Sequence, residues 1–177
     1  MAKKTISFSL NTKDIERAIK ELDTYKAEFQ RKVDTYRKRI ADEIAVNASL
    51  NFGSAIVDDR LRGGPRRANV TVSVSDNGNI AIVVANGEDA VWCEFGAGVY
   101  HNGAVGSSPN PYGSDLGFTI GSYGKGYGKQ QVWGYYADPG DKTSLVLTRG
   151  TPATMPMYNA VQEVMKKAIE IAKGVFG

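Results

Sequence analysis

The longest pattern in the chain is a run of apolar residues spaced three and four positions apart between residues 13 and 51. This spacing places side chains on one face of an α-helix and predicts a helical region over residues 12–52, capped by Asn11 or Thr12. Residues 13–51 as one straight helix would be about 58 Å long, whereas a compact domain of 177 residues is about 40 Å across. We therefore expect the helix either to protrude from the domain or to bend, or break into two helices, near Leu22-Asp23-Thr24. The apolar stripe consists of Ile15, Ile19, Leu22, Tyr25, Phe29, Val33, Tyr36, Ile40, Ile44 and Ala48.

Alternating apolar and polar residues predict strands elsewhere, because successive side chains of a strand point to opposite faces. Residues 6–10 predict a short first strand. Residues 70–85 predict a β-hairpin whose turn contains Asn77-Gly78, a pair that tolerates the positive φ angles of a tight turn. Residues 90–95, 131–136 and 144–148 are the remaining predicted strands, so we expect a mainly antiparallel sheet within residues 68–149.

A second helix is predicted over residues 154–174, where apolar residues again share one face. Thr154 is a suitable N-cap because Pro156 then lies in the first turn, and Gly174 is a suitable stop. The expected fold is therefore a single α+β domain over residues 1–177, with the long helix and the C-terminal helix packed on one face of the sheet.

Residues 96–130 form a Gly/Tyr-rich segment that is longer than ordinary connections. Glycine freedom combined with aromatic side chains is typical of a surface that contacts a neighbouring molecule. The alternative is a twisted hairpin in which Phe118-Thr119-Ile120 is a strand and glycines occupy bulges. The candidate subunit-interface residues are Tyr100, Tyr112, Tyr123 and Tyr127.

Composition limits the function classes. The chain has a net charge of +3, which is far below that of a dedicated nucleic-acid-coating protein. A single cysteine excludes an internal disulfide, and the first residues lack the apolar core of a signal peptide, so we expect synthesis in the cytoplasm. No apolar run approaches the roughly 20 residues that span a bilayer, so membrane insertion is not expected.

Catalytic and cofactor motifs are not recognisable. The run over residues 121–129 resembles a phosphate-binding loop, but the Lys and Ser or Thr that should follow Gly126 are replaced by other residues. Cys93 and His101 have no third orienting group, and one Cys with one His lacks the spacing of a structural metal site. We therefore expect no catalytic residue, no metal and no cofactor.

Two basic clusters are candidates for contact with phosphate. The acidic residues four positions before lysines on the long helix favour a solvated face for the helix cluster. The loop cluster is expected either to face DNA or to bind acidic residues of a neighbouring subunit. The helix cluster is Arg31, Lys32, Arg37, Lys38 and Arg39, and the loop cluster is Arg60, Arg62, Arg66 and Arg67.

Two short segments carry a family resemblance. The first ends in Glu94-Phe95-Gly96, and the second runs from Gly150 through Pro156 to Ala160 at the start of the C-terminal helix. Together they resemble the tail-completion or head–tail joining (neck) proteins of long-tailed bacteriophages, which are related to the Z-like minor tail proteins and to phage morphogenesis proteins.

The resemblance implies a non-enzymatic structural protein of the virion. It implies a homo-oligomeric ring, hexameric by family expectation, that joins the tail to the head connector while DNA passes through its lumen. The implied partners are tail terminator or tail tube proteins and connector proteins, with non-specific contact to packaged DNA. Alternatives are a tail terminator or connector adaptor protein, a small DNA-binding protein that uses the basic clusters, or an enzyme with an unrecognised site.

Overall fold

The computed structural model describes residues 5–98, 106–107, 110–113, 115–116, 119–120, 122–123, 126–127 and 131–177. Within these residues the chain forms three α-helices and five pairs of antiparallel strands, so the predicted α+β class is confirmed. The helices are α1 (Thr12–Ser54), α2 (Asp89–Phe95) and α3 (Pro156–Phe176). The strands are β1 (Ile56–Val57), β2 (Arg66–Arg67), β3 (Thr71–Asp76), β4 (Ala81–Asn86), β5 (Gly106–Ser107), β6 (Thr119–Ile120), β7 (Ser122–Tyr123), β8 (Gly126–Tyr127), β9 (Trp133–Tyr136) and β10 (Leu145–Thr148).

Helix α1 is one uninterrupted helix, so the alternative of two separate helices meeting near Leu22 is wrong. Thr24, considered as a second cap, instead donates its hydroxyl to the carbonyl oxygen of Lys20 at 2.9 Å inside the helix. Asn11 is the N-cap, as one of the two predicted residues, because its side-chain oxygen accepts the N–H of Asp14 at 2.9 Å. At 43 residues the helix is about 64 Å long, which exceeds the width of a compact domain of this size.

The strand predicted over residues 6–10 is also wrong, because residues 5–9 have no regular secondary structure. The hydroxyl of Ser9 binds the carboxylate of Asp14, and the side chain of Asn11 donates to Ser9 at 2.5 Å. These polar contacts direct the segment into the first turn of α1. Phe8 and Leu10 remain exposed, so the apolar alternation in this segment does not reflect burial against a sheet.

The predicted hairpin is confirmed as β3 and β4, which pair with Val74 opposite Val83. Asn77 accepts the backbone N–H groups of Asn79 and Ile80, and Gly78 has a φ of 91°, which a residue with a side chain rarely adopts. The hairpin lies against α1 near its turn, where an Arg37 guanidinium nitrogen lies 3.2 Å from a carboxylate oxygen of Asp76.

The strand predicted over residues 90–95 is instead helix α2. Asp89 and Cys93, four residues apart, are both buried, as expected for one face of a helix. The last two predicted strands are confirmed as β9 and β10, which pair with each other. The predicted single sheet is therefore divided, within the described residues, into separate two-stranded sheets.

Helix α3 runs antiparallel to α1. Near its start, Asn51 donates its side-chain amide to the carbonyl oxygen of Pro156 at 3.1 Å. At its end, the Phe176 ring lies 5.9 Å from that of Phe29 and 6.0 Å from that of Tyr36. Because α3 ends beside Phe29, residues 12–28 of α1 extend about 25 Å beyond it.

Both predicted ends of α3 are corrected. Thr154 does not cap the helix, since Met155 is the N-cap residue and makes no side-chain cap bond. Gly174 does not stop it, because the helix continues to Phe176. A Cβ at Gly174 would lie 3.8 Å from the nearest guanidinium nitrogen of Arg39, which is an ordinary van der Waals distance, so an alanine would fit at this position.

The main core lies where the C-terminal end of α1, the base of the hairpin, α2 and the start of α3 meet. Its buried centre is Phe52, Ala55, Val57 and Cys93, and Val72, Ala85 and Met157 are among the residues packed around it. This core fixes α2 beside the start of α3.

Candidate functional site

Glu94, in α2, caps helix α3 through its side chain. One carboxylate oxygen accepts the N–H of Met157 at 2.9 Å, and the other accepts the N–H of Tyr158 at 3.0 Å and the side-chain amide of Asn110 at 2.8 Å. The first N–H groups of a helix have no partner within the helix, and a negative charge there is favoured by the helix dipole. Glu94 therefore replaces the missing side-chain cap at Met155.

The end of α2 is bound by the same neighbouring segment. The carbonyl oxygen of Cys93 accepts the N–H groups of Thr154 and Met155 at 2.8 and 3.1 Å. The carbonyl oxygen of Cys93 near the end of α2 therefore binds the two residues that precede α3, while the Glu94 side chain binds the first N–H groups of α3 itself. We call this arrangement the helix joint, comprising Glu94 to Gly98 and Gly150 to Ala160.

Three glycines allow the two halves of the helix joint to approach closely. Ala97 and Thr151 exchange two backbone hydrogen bonds of 2.8 and 2.7 Å between them. Gly150 has a φ of 93°, and a Cβ there would lie 2.5 Å from the carbonyl oxygen of Ala97. Gly96 and Gly98 also have positive φ angles, and a Cβ on Gly98 would overlap the Trp133 ring at 2.6 Å. The glycines at these three positions are therefore explained by positive φ angles and by close packing against neighbouring atoms.

The helix joint contains all six residues that carried the resemblance. Pro156 is the first residue of α3 and is buried, and Ala160 is fully buried one turn later. Phe95, partly buried, lines an apolar pocket of about 430 Å³ together with Tyr112, Tyr158 and Leu116. The structure therefore brings Glu94, Phe95, Gly96, Gly150, Pro156 and Ala160 into one structural unit.

A second cluster surrounds Asp58, whose backbone has the left-handed φ of 58°. The Tyr135 hydroxyl donates to its carboxylate at 2.5 Å, and the Arg60 guanidinium donates at 2.6 Å to the same oxygen. Burial raises the pKa of Asp58, but hydrogen bonds from Thr148, Tyr135 and Arg60 outweigh it and hold that pKa below its usual value. Asp58 is therefore ionised at neutral pH and binds β9 to the segment after β1.

Arg66 and Asp89 form a second ion pair that joins β2 to α2. The two guanidinium nitrogens donate to the two carboxylate oxygens at 2.8 and 2.7 Å. The backbone N–H of Asn69 donates to the same carboxylate at 2.9 Å. The hydrogen bonds from Arg66, followed by that from Asn69, lower the pKa of Asp89 although burial opposes them.

A cavity of about 290 Å³ lies between these two ion pairs. Trp92, Trp133 and Tyr135 form aromatic parts of its wall, and Asp58, Arg66 and Asp89 line it as well. Each of these three charged groups already has an ion-pair partner of opposite sign, so the cavity is bordered by satisfied charges.

The arginines predicted as DNA or partner contacts are mostly bound within the chain. Arg60 and Arg66 belong to the two ion pairs, and Arg67 donates to the carbonyl oxygens of Gly53 and Ser54. Arg62 is exposed, and we find no side-chain partner for it among the described residues. Three of the four arginines therefore have partners within the chain, while Arg62, Arg66 and Arg67 are exposed.

The predicted interface tyrosines fall mainly outside the description of side chains. Tyr100 lies outside the described residues, and Tyr123 and Tyr127 are described only as members of the paired strands β7 and β8. Tyr112 is exposed and its ring packs against that of Tyr158 with centroids 6.2 Å apart. Tyr112 is therefore the one predicted interface tyrosine whose side chain the structure describes, and it packs against the helix joint.

Cys93 does not have the properties of a nucleophile. It is fully buried in the core, and burial, with the nearby Asp89 charge, raises the pKa of its thiol to about 11. The thiolate, which is the reactive form, is therefore scarce at neutral pH. His101, the other residue considered for catalysis, lies outside the described residues.

The described residues contain neither a metal-binding cluster nor a membrane-spanning helix. Within the described ranges, no group of three or more His, Cys, Asp or Glu side chains is arranged to hold a metal ion. In the same part of the chain, no helix combines the length and the apolar character that a bilayer-spanning helix needs.

Sequence reasoning missed Asp58, Asp89, Trp133 and Tyr135. Acidic residues lie close in sequence to the arginine cluster, and partly buried arginines need counter-charges. Asp58 could therefore have been predicted as an arginine partner from the sequence. Asp89 and Tyr135 are 23 and 75 residues from their arginine partners, and no local pattern identifies such pairs.

Large apolar side chains are exposed on several elements, including α1, the hairpin, β10 and α3. On α1, Ile15, Ile19, Leu22, Tyr25 and Phe29 are between 37 and 55 % exposed. On the hairpin, Ile80, Ile82 and Val84 are between 38 and 60 % exposed. Single exposed apolar residues are ordinary, but contiguous rows of them mark contact surfaces.

Comparisons with protein families, characterised proteins and solved structures gave no match for this chain.

Proposed function

We propose that this chain is a non-enzymatic structural protein of a bacteriophage virion that assembles into a ring at the head–tail interface. In this proposal the chain is made in the host cytoplasm and becomes part of the neck, between the tail proteins and the head connector. Six copies surround a lumen through which DNA passes.

The projecting part of α1 is the observation that carries the proposal. About 25 Å of this helix extends beyond α3, and the large apolar side chains along it, from Ile15 to Phe29, are 37 to 55 % exposed. Exposing several large apolar residues to water is unfavourable by about 25 cal/mol per Å². A projecting apolar helix is therefore expected in a subunit whose fold is completed by neighbouring molecules.

The helix joint gives the resemblance a structural basis. The two short motifs, separated by more than 50 residues, meet in a single unit in which one supplies the helix cap and the other supplies the helix. Two short motifs that matched the family by chance would have no reason to be in contact. The contact between the two motifs supports the assignment to the neck proteins.

A small DNA-binding protein remains the second candidate, and one groove favours it. Arg31, Lys32 and Arg39 line a groove of about 330 Å³ between α1 and the last turn of α3, in which Glu28 supplies one opposing charge. Lysine and arginine on such a surface bind phosphates by releasing counterions, which produces a steep dependence on salt. Tight binding of duplex DNA by the isolated chain, weakening steeply with salt, would favour this candidate.

Complementation of tail joining tests the proposal. A genome that encodes this chain, with its gene deleted, is expected to yield filled heads and separate complete tails. Addition of the purified chain to these extracts should restore joined particles, as counted by electron microscopy and by plaque titre. Normal joined particles in the absence of the chain would contradict the proposal.

A further inference from the structure

Helix α1 has a cationic face beside the last turn of α3. Arg31, Thr35 and Arg39 are spaced four residues apart, so they lie along one side of the helix, and Lys32 lies next to Arg31. These side chains form one wall of the groove of about 330 Å³, which we call the basic groove. The other residues that line it are Glu28, Gly174 and Val175.

The arginines of the basic groove differ from most others in the chain because they have no internal partner. Among the described residues, we find no acceptor for the side chains of Arg31, Arg39 and Arg62, and two of these three lie in the basic groove. The remaining arginines bind within the chain: Arg17, Arg37, Arg60, Arg66 and Arg149 form ion pairs, and Arg67 donates to backbone carbonyl oxygens.

The one acidic side chain that lines the basic groove does not neutralise it. Glu28 lies four residues before Lys32, a spacing that favours an ion pair, but within the described part of the chain no ion pair joins them. Three cations and one carboxylate leave positive charge uncompensated in the groove. All four charged side chains are exposed, so the cations are available to a ligand.

A row of phosphates is the ligand chemistry that fits these cations. Arg31 and Arg39 are eight residues apart, which is about 12 Å along the helix. Duplex DNA has a phosphate about every 3.4 Å along the axis on each strand, so cations spread over this length can contact several phosphates of one backbone. Protein interfaces are depleted of lysine, whereas phosphate contacts commonly come from arginine and lysine. The composition of the groove therefore favours DNA over an acidic protein.

We propose that the basic groove is the surface through which the chain contacts the phosphate backbone of duplex DNA. The contact carries no sequence information because it is made to phosphates. It takes the place of the loop cluster, in which Arg60 and Arg66 are held by Asp58 and Asp89. The inference rests on the proposed function for its position in the ring, where the basic groove faces the lumen.

Three phosphate contacts predict a definite dependence on salt. Each neutralised phosphate contributes about 0.9 to the slope of log K against log salt concentration, so three give a slope of about −2.7. The affinity of the isolated chain for duplex DNA should therefore fall about 40-fold between about 50 and 200 mM salt. So few contacts per chain give weak binding, in contrast to the tight binding expected of a dedicated DNA-binding protein.

Fluorescence anisotropy of a short labelled duplex, titrated with the full chain at several salt concentrations, measures this slope. The variant Arg31→Gln/Lys32→Gln/Arg39→Gln should lose most of the slope, and its affinity at about 50 mM salt should fall about 10-fold or more. Its melting temperature should be nearly unchanged, because the three side chains are exposed and have no partners among the described residues. Wild-type affinity and slope in this folded variant would overturn the inference.

A matched control removes three charges from the projecting part of the same helix. Lys13, Lys20 and Lys26 are exposed there, so Lys13→Gln/Lys20→Gln/Lys26→Gln has the same net charge as the groove variant. The control should retain the affinity and the slope of the wild type. An equal loss in both variants would show that DNA responds to net charge alone and would overturn the inference.

Competition separates DNA from other anionic partners. Unlabelled duplex DNA should displace the labelled duplex at a lower concentration of charge than polyglutamate or vesicles containing an anionic lipid. More effective displacement by polyglutamate would identify an acidic protein as the partner, and more effective displacement by vesicles would identify a membrane surface; either result would overturn the inference.

The proposed function is tested separately by the tail-joining assay with the wild-type chain. Restored joining together with unchanged DNA binding in the groove variant would overturn the inference alone. Normal joined particles in the absence of the chain would overturn the proposed function, whatever the basic groove binds.

Discussion

Removing the charge of Glu94 is the sharpest test of the helix joint. In Glu94→Gln the shape of the side chain is retained, but one carboxylate oxygen is replaced by an amide group that cannot accept a hydrogen bond. The backbone N–H of either Met157 or Tyr158 then loses its acceptor, since the two groups bind different oxygens at 2.9 and 3.0 Å. The favourable interaction with the helix dipole is lost as well.

The expected loss of stability follows from the typical contributions of helix caps and of hydrogen bonds to charged groups. Loss of an N-cap typically destabilises by about 1 kcal/mol, and hydrogen bonds to charged groups contribute about 1.5–3 kcal/mol. Because Glu94 is partly buried, we expect the free energy of unfolding to fall by about 2 kcal/mol. For a chain of 177 residues this corresponds to a decrease in melting temperature of about 4–8 °C.

Thermal unfolding followed by circular dichroism at 222 nm, together with urea denaturation, measures this change. The matched control is Glu163→Gln on the exposed face of α3, which should change the free energy of unfolding by less than about 0.5 kcal/mol. A Glu94→Gln melting temperature within 1 °C of the wild type, roughly the change expected of a surface substitution, would refute the capping argument.

Three further predictions follow from the structure. Gly150→Ala forces a Cβ to 2.5 Å from a backbone oxygen at a φ of 93° and should destabilise by about 3–5 kcal/mol, whereas Gly53→Ala, with open space at its Cβ, should stabilise by up to about 1 kcal/mol in urea titrations. The pKa of Asp58 and of Asp89 is lowered in the folded chain, so their stabilisation is complete above about pH 4 and is lost as the pH falls further. Melting temperatures measured from pH 2.5 to 7 should show this loss, and Asp89→Asn should weaken it; an unchanged profile in the variant would contradict the ion-pair account. Cys93 should react with a thiol reagent only after denaturation, and rapid reaction in the folded protein would show that the core is open.

The sequence predicted best the elements that depend on neighbouring residues. The hairpin around Asn77-Gly78 was predicted correctly because its alternation and its turn chemistry lie within 16 residues. The long helix was predicted from its stripe, and its length left two alternatives, a protruding helix or a bend or break near Leu22. The structure has one continuous helix whose first residues project beyond α3, so the spacing of the apolar residues was a better guide than the expected diameter of a compact domain.

The predictions from the sequence were wrong where contacts between distant residues determine the local structure. Residues 90–95 contain apolar and aromatic residues at positions compatible with a strand or a short helix, and the burial of Asp89 and Cys93 on one face selects the helix. The cap of α3 by Glu94 joins residues 63 positions apart, which no local pattern indicates. The motif that included Glu94 identified the segment, but only the structure shows what the carboxylate binds.

Cryo-electron microscopy of intact particles assembled from the genome that encodes this chain tests the central claim most directly. The account predicts a closed ring of identical copies of the chain at the collar, between the tail and the head connector. Intact, joined particles whose collar contains no copy of the chain would contradict it.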